Sequence, residues 1–515
     1  LENEDKEDVT LEESELFDKQ EEELKKTRQG FVQDVLPAQT QLNELVAEVG
    51  GYLSGMERTF LLASIQRALF SVGFGHCDPR TYSPLTILPS SRGRSVMTMG
   101  MAGCHALQSS IVEECLYAAQ QSTLRAFATG HNGTACAATN VCTDILGRVL
   151  LDALSQRAEM GTALLRPGDG LIVGAGGIGQ AAMSVMTSAQ KGLSNVATRS
   201  ATKNIKRQVT VGTEEEERRA MKFRIETGVA RCCATLNDME VAVDYTRRLE
   251  EKFIHEVEST FARGTSETEQ LKVCIQALSG VMDSYQSASN QALEHLTGVI
   301  MPRVRSIVNE CVGQESAAAT GFTNVMGGVG MGSTMAGTSS AASSVKMNYD
   351  LDDAAFEMAQ ISEGYMSKLC QMLDELMEPF RMHLAPRLFD ALLIGIVGGS
   401  SKRLESTIKR TQFTALGALA LDSDVRFFVN FIKDRVDSPT LTSSTTLYQS
   451  CNALARLSQI TLLMNVDDLE DVLDLISSSK RKKMWDLNLG DCKAFLNLRV
   501  DFEGRKVNEL LQISE

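Results

Sequence analysis

Apolar residues recur at three- and four-residue steps along most of the chain, a 3.6-residue period that predicts helices. Over 36–72, Leu42, Leu45, Val49, Leu53, Met56 and Phe60 line one helical face. A further helix is predicted over 10–28. Others follow over 103–128, where Leu107, Ile111, Cys115 and the Leu116–Ala119 neighbourhood are apolar, and over 138–160. Thr213 ahead of Glu214–Glu217 reads as an N-cap with acids in the first turn, opening a helix-rich region to about 312. Within it, Thr235-Leu236-Asn237-Asp238 is expected to interrupt the helix or cap a fresh one, and Pro302 to bend or start the last helix. Further on, Leu369, Leu373, Leu376, Phe380 and Leu384 step along one face, with Pro379 and Pro386 kinking or dividing that helix. Helices are predicted near 401–413, 422–436, 445–463, 466–477, 488–498 and 503–512. Strand-type alternation is scarce. The pattern predicts an all-α fold, an elongated rod of stacked antiparallel helix bundles.

Breaks in the pattern divide the chain. An acidic N-terminal segment (1–30) precedes a helical-rod segment (31–212) with Gly/Ser-rich loops at 73–94 and 166–212. A middle helical bundle (213–312), a low-complexity linker (313–348) and a C-terminal helical domain (349–515) follow. Composition agrees with helix: hydrophobic residues make up 43%, aromatics only 5%, and there are nine prolines in 515 residues. The net charge of -15 is concentrated, because residues 1–24 hold twelve acids and two lysines. The remainder is only mildly acidic, which argues against nucleic acid as a partner. Lys480-Arg481-Lys482-Lys483 reads as a loop, with an anionic-membrane or partner contact as the alternative. Twelve cysteines show no framework spacing and sit in apolar settings, as reduced thiols do in the cytosol. No apolar run reaches the roughly 18–20 residues of a membrane helix. Leu388–Val397 comes nearest and contains Asp390.

Three features invite chemistry. Gly174-Ala175-Gly176-Gly177-Ile178-Gly179 matches a dinucleotide-binding fingerprint and would make the chain a nucleotide-dependent enzyme. The acid expected roughly 20 residues onward is missing, however, since the first one is Glu214, and no βαβ pattern surrounds the glycines. A Gly-rich loop is the expectation. His76-Cys77 and Cys104-His105 lack the tight pair spacing of a zinc site. Glu214–Glu217 reads as a solvated helix start, and Met97, Met99 and Met101 as packing or loop filler. No nucleophile–base arrangement can be nominated, so catalytic, cofactor and metal residues are expected to be none.

Arg456 is different. It interrupts the apolar pattern of Leu454, Leu457, Ile460, Leu463 and Met464. Such an arginine either snorkels to water or pairs with a carboxylate, and its sequence neighbours leave both open. The surrounding residues carry a resemblance. Arg456-Leu457-Ser458-Gln459, with Trp485 downstream and Leu498-Arg499-Val500-Asp501-Phe502 near the end, resembles the subunit 4 family of the conserved oligomeric Golgi complex. Phe413-Thr414-Ala415-Leu416-Gly417 ahead of Asp424-Val425-Arg426 is similar to the family's Phe-x-x-Leu-Gly segment. Leu384-Ala385-Pro386, Thr235-Leu236-Asn237 with Glu240, Val112-Glu113-Glu114 with Tyr117, Arg125 and Ala126, and Tyr52, Met56, Glu57 and Phe60 resemble further family segments in the same order.

The resemblance implies a non-catalytic subunit of a vesicle tether that acts in intra-Golgi retrograde transport and keeps glycosylation enzymes in place. It implies peripheral association with the cytosolic face of Golgi membranes. The implied partners are subunits one to three of the first lobe, together with Golgi SNAREs and their regulators, the latter mainly through a region ahead of Leu1. It also implies an ion pair between Arg456 and Asp491, the acid in the helix after Trp485. A helical subunit of another tether, such as the exocyst, is the alternative within the same class.

Overall fold

The computed structural model describes residues 41–71, 83–84, 106–166, 214–312, 347–475 and 485–507, apart from 263, 362–363, 440, 469, 474, 503 and 505. Among them the secondary structure is helical. The exceptions are one antiparallel pairing of two-residue strands, β1 (Ser83–Pro84) with β2 (Leu107–Gln108), and two isolated parallel bridges. The all-α expectation holds.

The helices, in chain order, are α1 (Gln41–Ser71), α2 (Ile111–Phe127), α3 (Asn132–Asp144) and α4 (Leu151–Leu165), then α5 (Glu214–Thr260), α6 (Ser266–Gln276) and α7 (Leu278–Val312). Next come α8 (Asp353–Ile361), α9 (Tyr365–His383), α10 (Pro386–Ile408) and α11 (Ala415–Arg435). After these come α12 (Ser444–Ser450), α13 (Asn452–Met464) and α14 (Leu489–Leu496), and further described residues near 470–475 and 504–507 are helical. A π-helical turn, Ile145–Leu150, joins α3 to α4, so the helix expected over 138–160 is part of a longer run. Polar caps start several helices. The Thr265, Thr414 and Asn488 side chains each accept an N–H from the first turn that follows.

Several expectations need correcting. Thr235–Asp238 neither interrupts nor caps a helix, because α5 runs through it unbroken. Thr235 bonds back to Arg231 O one turn earlier, and the Asn237 and Asp238 side chains are spent on other segments, as shown below, so they do not compete with the helix backbone. Pro302 lies inside α7, and Pro379 lies inside α9 near its end. Pro386 does divide the run, occupying the first turn of α10, where a missing N–H costs nothing. The segment expected as a separate helix at 401–413 is the second half of α10. The 445–463 pattern splits at Cys451 into α12 and α13. The 10–28 helix, the Gly174–Gly179 loop, His76-Cys77, Cys104-His105 and Lys480–Lys483 lie outside the described residues.

The chain forms two compact units. The first comprises Leu1–Ser64, Cys115–Leu146 and Arg247–Gly280. Its core includes Phe127, which meets the rings of Phe253 and Phe261 edge-on at 5.4 and 6.4 Å, and α3 packs on α6. On α1 the buried positions include Glu57 and Leu61, while Leu45, Val49, Tyr52, Met56 and Phe60 are 49–67% exposed. Four members of the apolar stripe read from the sequence, Leu45, Val49, Met56 and Phe60, are therefore exposed, and Leu53 is half-buried. The second unit comprises Ile65–Glu114, Gly147–Thr246 and Val281–Glu515 and holds one large apolar core. Within it α13 is central, packing on α10, α11 and α14.

Candidate functional site

The residues that carry the family resemblance pair with one another across long sequence separations. In the first unit, Glu57 accepts both Arg125 Nε (2.7 Å) and Arg125 Nη2 (2.6 Å), and also the Ser122 hydroxyl (2.7 Å). The Arg125 guanidinium lies 5.1 Å from the Phe60 ring centroid. Burial alone would raise the Glu57 carboxyl, but the Arg125 and Ser122 hydrogen bonds hold it below its ordinary value.

In the second unit, Asn237 is fully buried on α5 and satisfies three backbone groups. Its Nδ2 donates to Leu107 O (2.7 Å) and His383 O (2.8 Å), and its Oδ1 accepts Ala385 N–H (2.8 Å). One residue on, Asp238 accepts the backbone N–H (2.8 Å) and hydroxyl (2.6 Å) of Ser109. Burial pushes Asp238 up to about 7 despite these bonds. Glu240 meets Arg387 at 2.6 Å. The Thr-Leu-Asn segment and the Leu384-Ala385-Pro386 turn are thus two halves of one clasp.

The C-terminal motifs converge on α13. Phe413 forms the middle of a short bridge between two segments. Its N–H donates to Leu498 O (2.9 Å), its carbonyl accepts Val500 N–H (2.9 Å), and Thr414 N–H donates to Tyr349 O (3.1 Å). The Phe413 ring is fully buried and stacks on Tyr349 at 4.9 Å. Gly417 sits where a Cβ would stand 1.7 Å from Tyr349 O, so only glycine fits. The Tyr349 hydroxyl donates to Asp424 Oδ2 (2.7 Å) and lies 2.6 Å from the Tyr365 hydroxyl. Burial pushes Asp424 up to about 6 against the Tyr349 bond.

Arg499 is buried and closes the far end of α13. Its Nη1 donates to Met464 O (2.5 Å) and Val466 O (3.2 Å), carbonyls left open where the helix stops. Its Nε donates to Asp501 Oδ1 (2.8 Å), Nη2 also bonds Asp501, and the Phe502 ring lies 4.3 Å away. The Arg499 hydrogen bond holds the Asp501 carboxyl below its ordinary value.

Arg456 pairs with two acids. Its Nη2 lies 2.9 Å from Glu405 Oε1 and 3.1 Å from Asp491 Oδ2, while Nη1 donates to Asp486 O (3.0 Å). Lys409 approaches the same acids at 3.0 and 3.6 Å. Two cations and two carboxylates from α10, α13 and α14 thus form one neutral network. Burial would raise Glu405 and Asp491, but Arg456 and Lys409 hold both below their ordinary values. Leu457 is fully buried, the Ser458 hydroxyl donates to Tyr448 Oη (2.9 Å), and Gln459 exchanges two bonds with Asp486. Trp485 packs half-buried against the core. Leu416 is half-buried, and Arg426 stands apart, exposed and paired with Asp422 one turn away. Sequence reasoning missed Glu405 and Lys409, although their four-residue spacing was a readable pair signal.

Chemically, these clusters hold segments together. Among the described residues no group of three or more His, Cys, Asp or Glu could hold a metal ion, and no helix is long and apolar enough to cross a membrane.

Residues 338–493, which hold the Arg456 network and Phe413 but not its partners Leu498 and Val500, match the family model described as conserved oligomeric Golgi complex subunit 4, C-terminal. Proteins of that name are similar over longer stretches: the Drosophila melanogaster protein is 23% identical over 287 residues, and the Homo sapiens protein 20% identical over 408. Over these stretches the chain is similar to conserved oligomeric Golgi complex subunit 4. The matches cover 55% and 78% of this chain but only 31% and 43% of those relatives, so it spans less than half of their length. The fold is also that of a solved structure, the C-terminal domain of the exocyst subunit Sec6p. That likeness has a TM-score of 0.50 at 11% identity and covers 93% of this chain and 92% of that one.

Proposed function

We propose that this chain is part of a non-catalytic subunit of the conserved oligomeric Golgi complex, acting in the tethering of intra-Golgi retrograde vesicles. In that role it keeps glycosylation enzymes in their compartments. The observation that carries the reading is the family match at residues 338–493, which falls on the Arg456 network. The exocyst alternative rests on the Sec6p likeness, which speaks to fold alone. The partners under this reading are subunits one to three of the first lobe, with Golgi SNAREs and their regulators. The place of action is the cytosolic face of Golgi membranes, reached peripherally. The solvent-facing apolar stripe on α1 supports assembly, since a contiguous exposed apolar helix face marks a contact surface.

Depletion and rescue tests the finer claim. Cells lacking the full-length protein are expected to show shortened surface glycans and displaced Golgi glycosyltransferases, both restored by resupply. Normal glycans and enzyme distribution in depleted cells would count against the reading.

A further inference from the structure

The described cysteines divide by exposure. Cys136 on α3 and Cys274 on α6 are partly exposed, and all the other described cysteines are buried, where a reduced thiol acts as a small apolar group. The two exposed ones face each other. Their helices pack together within the first unit, and the Cys136 and Cys274 side chains stand in hydrogen-bonding reach across that packing.

The sequence explains the closeness. α3 buries Thr134, Ala135, Ala138 and Thr139, side chains too short to hold a neighbouring helix away, while α6 buries Thr268, Leu271 and Ile275. Cys136 follows Ala135 and Cys274 precedes Ile275, so each thiol stands at the rim of a buried stripe, open in part to water and small solutes. A disulfide joins two such short side chains only where their backbones come close, as this helix pair does.

The surroundings tell the two thiols apart. Cys136 donates to Asn132 Oδ1, one turn earlier, at 3.7 Å. Burial, and Cys274 beside it, push the Cys136 thiol up to about 12. Cys136 therefore keeps its hydrogen, which leaves the role of nucleophile to Cys274.

We propose that Cys136 and Cys274 form a redox-sensitive modification site, a dithiol that hydrogen peroxide converts to a disulfide and a reducing thiol restores. The Cys274 thiol releases its proton to water, and its sulfur displaces hydroxide from the peroxide to give a sulfenic acid. The Cys136 sulfur then attacks that sulfur. The S–S bond forms, the S–O bond breaks, and the hydroxyl leaves as water with the Cys136 proton. In total the two thiols give up two electrons and two protons, and one peroxide becomes two waters. A reducing thiol reverses the change through a mixed disulfide and is itself oxidised. Such a bond ties the Cys115–Leu146 segment of the first unit to its Arg247–Gly280 segment. In the cytosol a disulfide of this kind is transient and redox-sensing. The inference does not rest on the Golgi reading.

The test treats the reduced full chain with hydrogen peroxide, alkylates the remaining thiols and maps the unreduced peptides by mass spectrometry. A peptide cross-linked between Cys136 and Cys274 is expected, and dithiothreitol should release it. The two thiols should be lost together, about tenfold faster or more than the buried Cys142 and Cys233. In Cys136→Ser, dimedone should trap a sulfenic acid on Cys274, and in Cys274→Ser it should leave Cys136 unlabelled. The wild-type map stands whether or not either variant folds. Both thiols still open to alkylation after peroxide, a cross-link joining either one to a different cysteine, or sulfenic acid trapped on Cys136 in place of Cys274 would overturn the proposal.

Discussion

Replacing Arg456 by alanine is expected to destabilise the second unit by about 2 kcal/mol. Exposed ion pairs contribute at most about 1 kcal/mol, whereas breaking a buried pair costs about 3–5 because a charge is left stranded. The Arg456, Glu405 and Asp491 side chains are 24, 12 and 19% exposed, between those limits. Lys409 stays within reach of both acids after the substitution, at 3.0 and 3.6 Å, so neither is wholly orphaned. The carbonyl of Asp486 loses its donor as well. These terms place the cost in the middle of the range. For a unit of well over 250 residues, about 2 kcal/mol lowers the melting temperature by roughly 2–4 °C. The assay is thermal denaturation of the full chain, run as a cycle with Glu405→Ala and the double variant. The cycle should show a coupling of about 1 kcal/mol or more. Equal melting temperatures for wild type and Arg456→Ala, or strict additivity in the cycle, would refute the reasoning.

Three further outcomes are expected. Gly417→Ala drives a methyl group into Tyr349 O and should cost about 3 kcal/mol, read by urea denaturation, whereas a neutral result would deny the close approach. Arg499→Met strips the end of α13 of its donors at Met464 and Val466 and should speed hydrogen exchange in the last turn of that helix, and unchanged protection there would show the cap is idle. Asp238, pushed up to about 7, holds its proton more tightly folded than unfolded. Its contribution is fully present below the ordinary aspartate range and is lost as pH rises through about 7. Asp238→Asn should therefore flatten the decline in stability between about pH 4 and 7, and an identical profile in the variant would exclude Asp238 as its source.

The helical class was legible because the 3.6-residue period needs only the sequence. The joints were less so. Thr235–Asp238 looks like a break when read locally, yet Asn237 and Asp238 spend their polar atoms on Leu107, His383, Ala385 and Ser109, more than 120 residues away in each case. No local pattern announces such a partner. The stripe on α1 shows the converse failure: periodicity finds an apolar face but does not say whether anything covers it. For Arg456 the apolar setting showed that something must answer the charge. The resemblance supplied Asp491, and only the fold brings in Glu405 and Lys409 from α10. Gly417 likewise reads as an ordinary glycine until Tyr349 O is found where its Cβ would be.

The measurement that bears most directly on the central claim is affinity purification of the tagged full-length protein from its own cells, with quantitative mass spectrometry of the chains that come with it. The account predicts the other subunits of the Golgi complex in near-equal amounts. A protein that purifies alone, or with the subunits of a different tether, would contradict it.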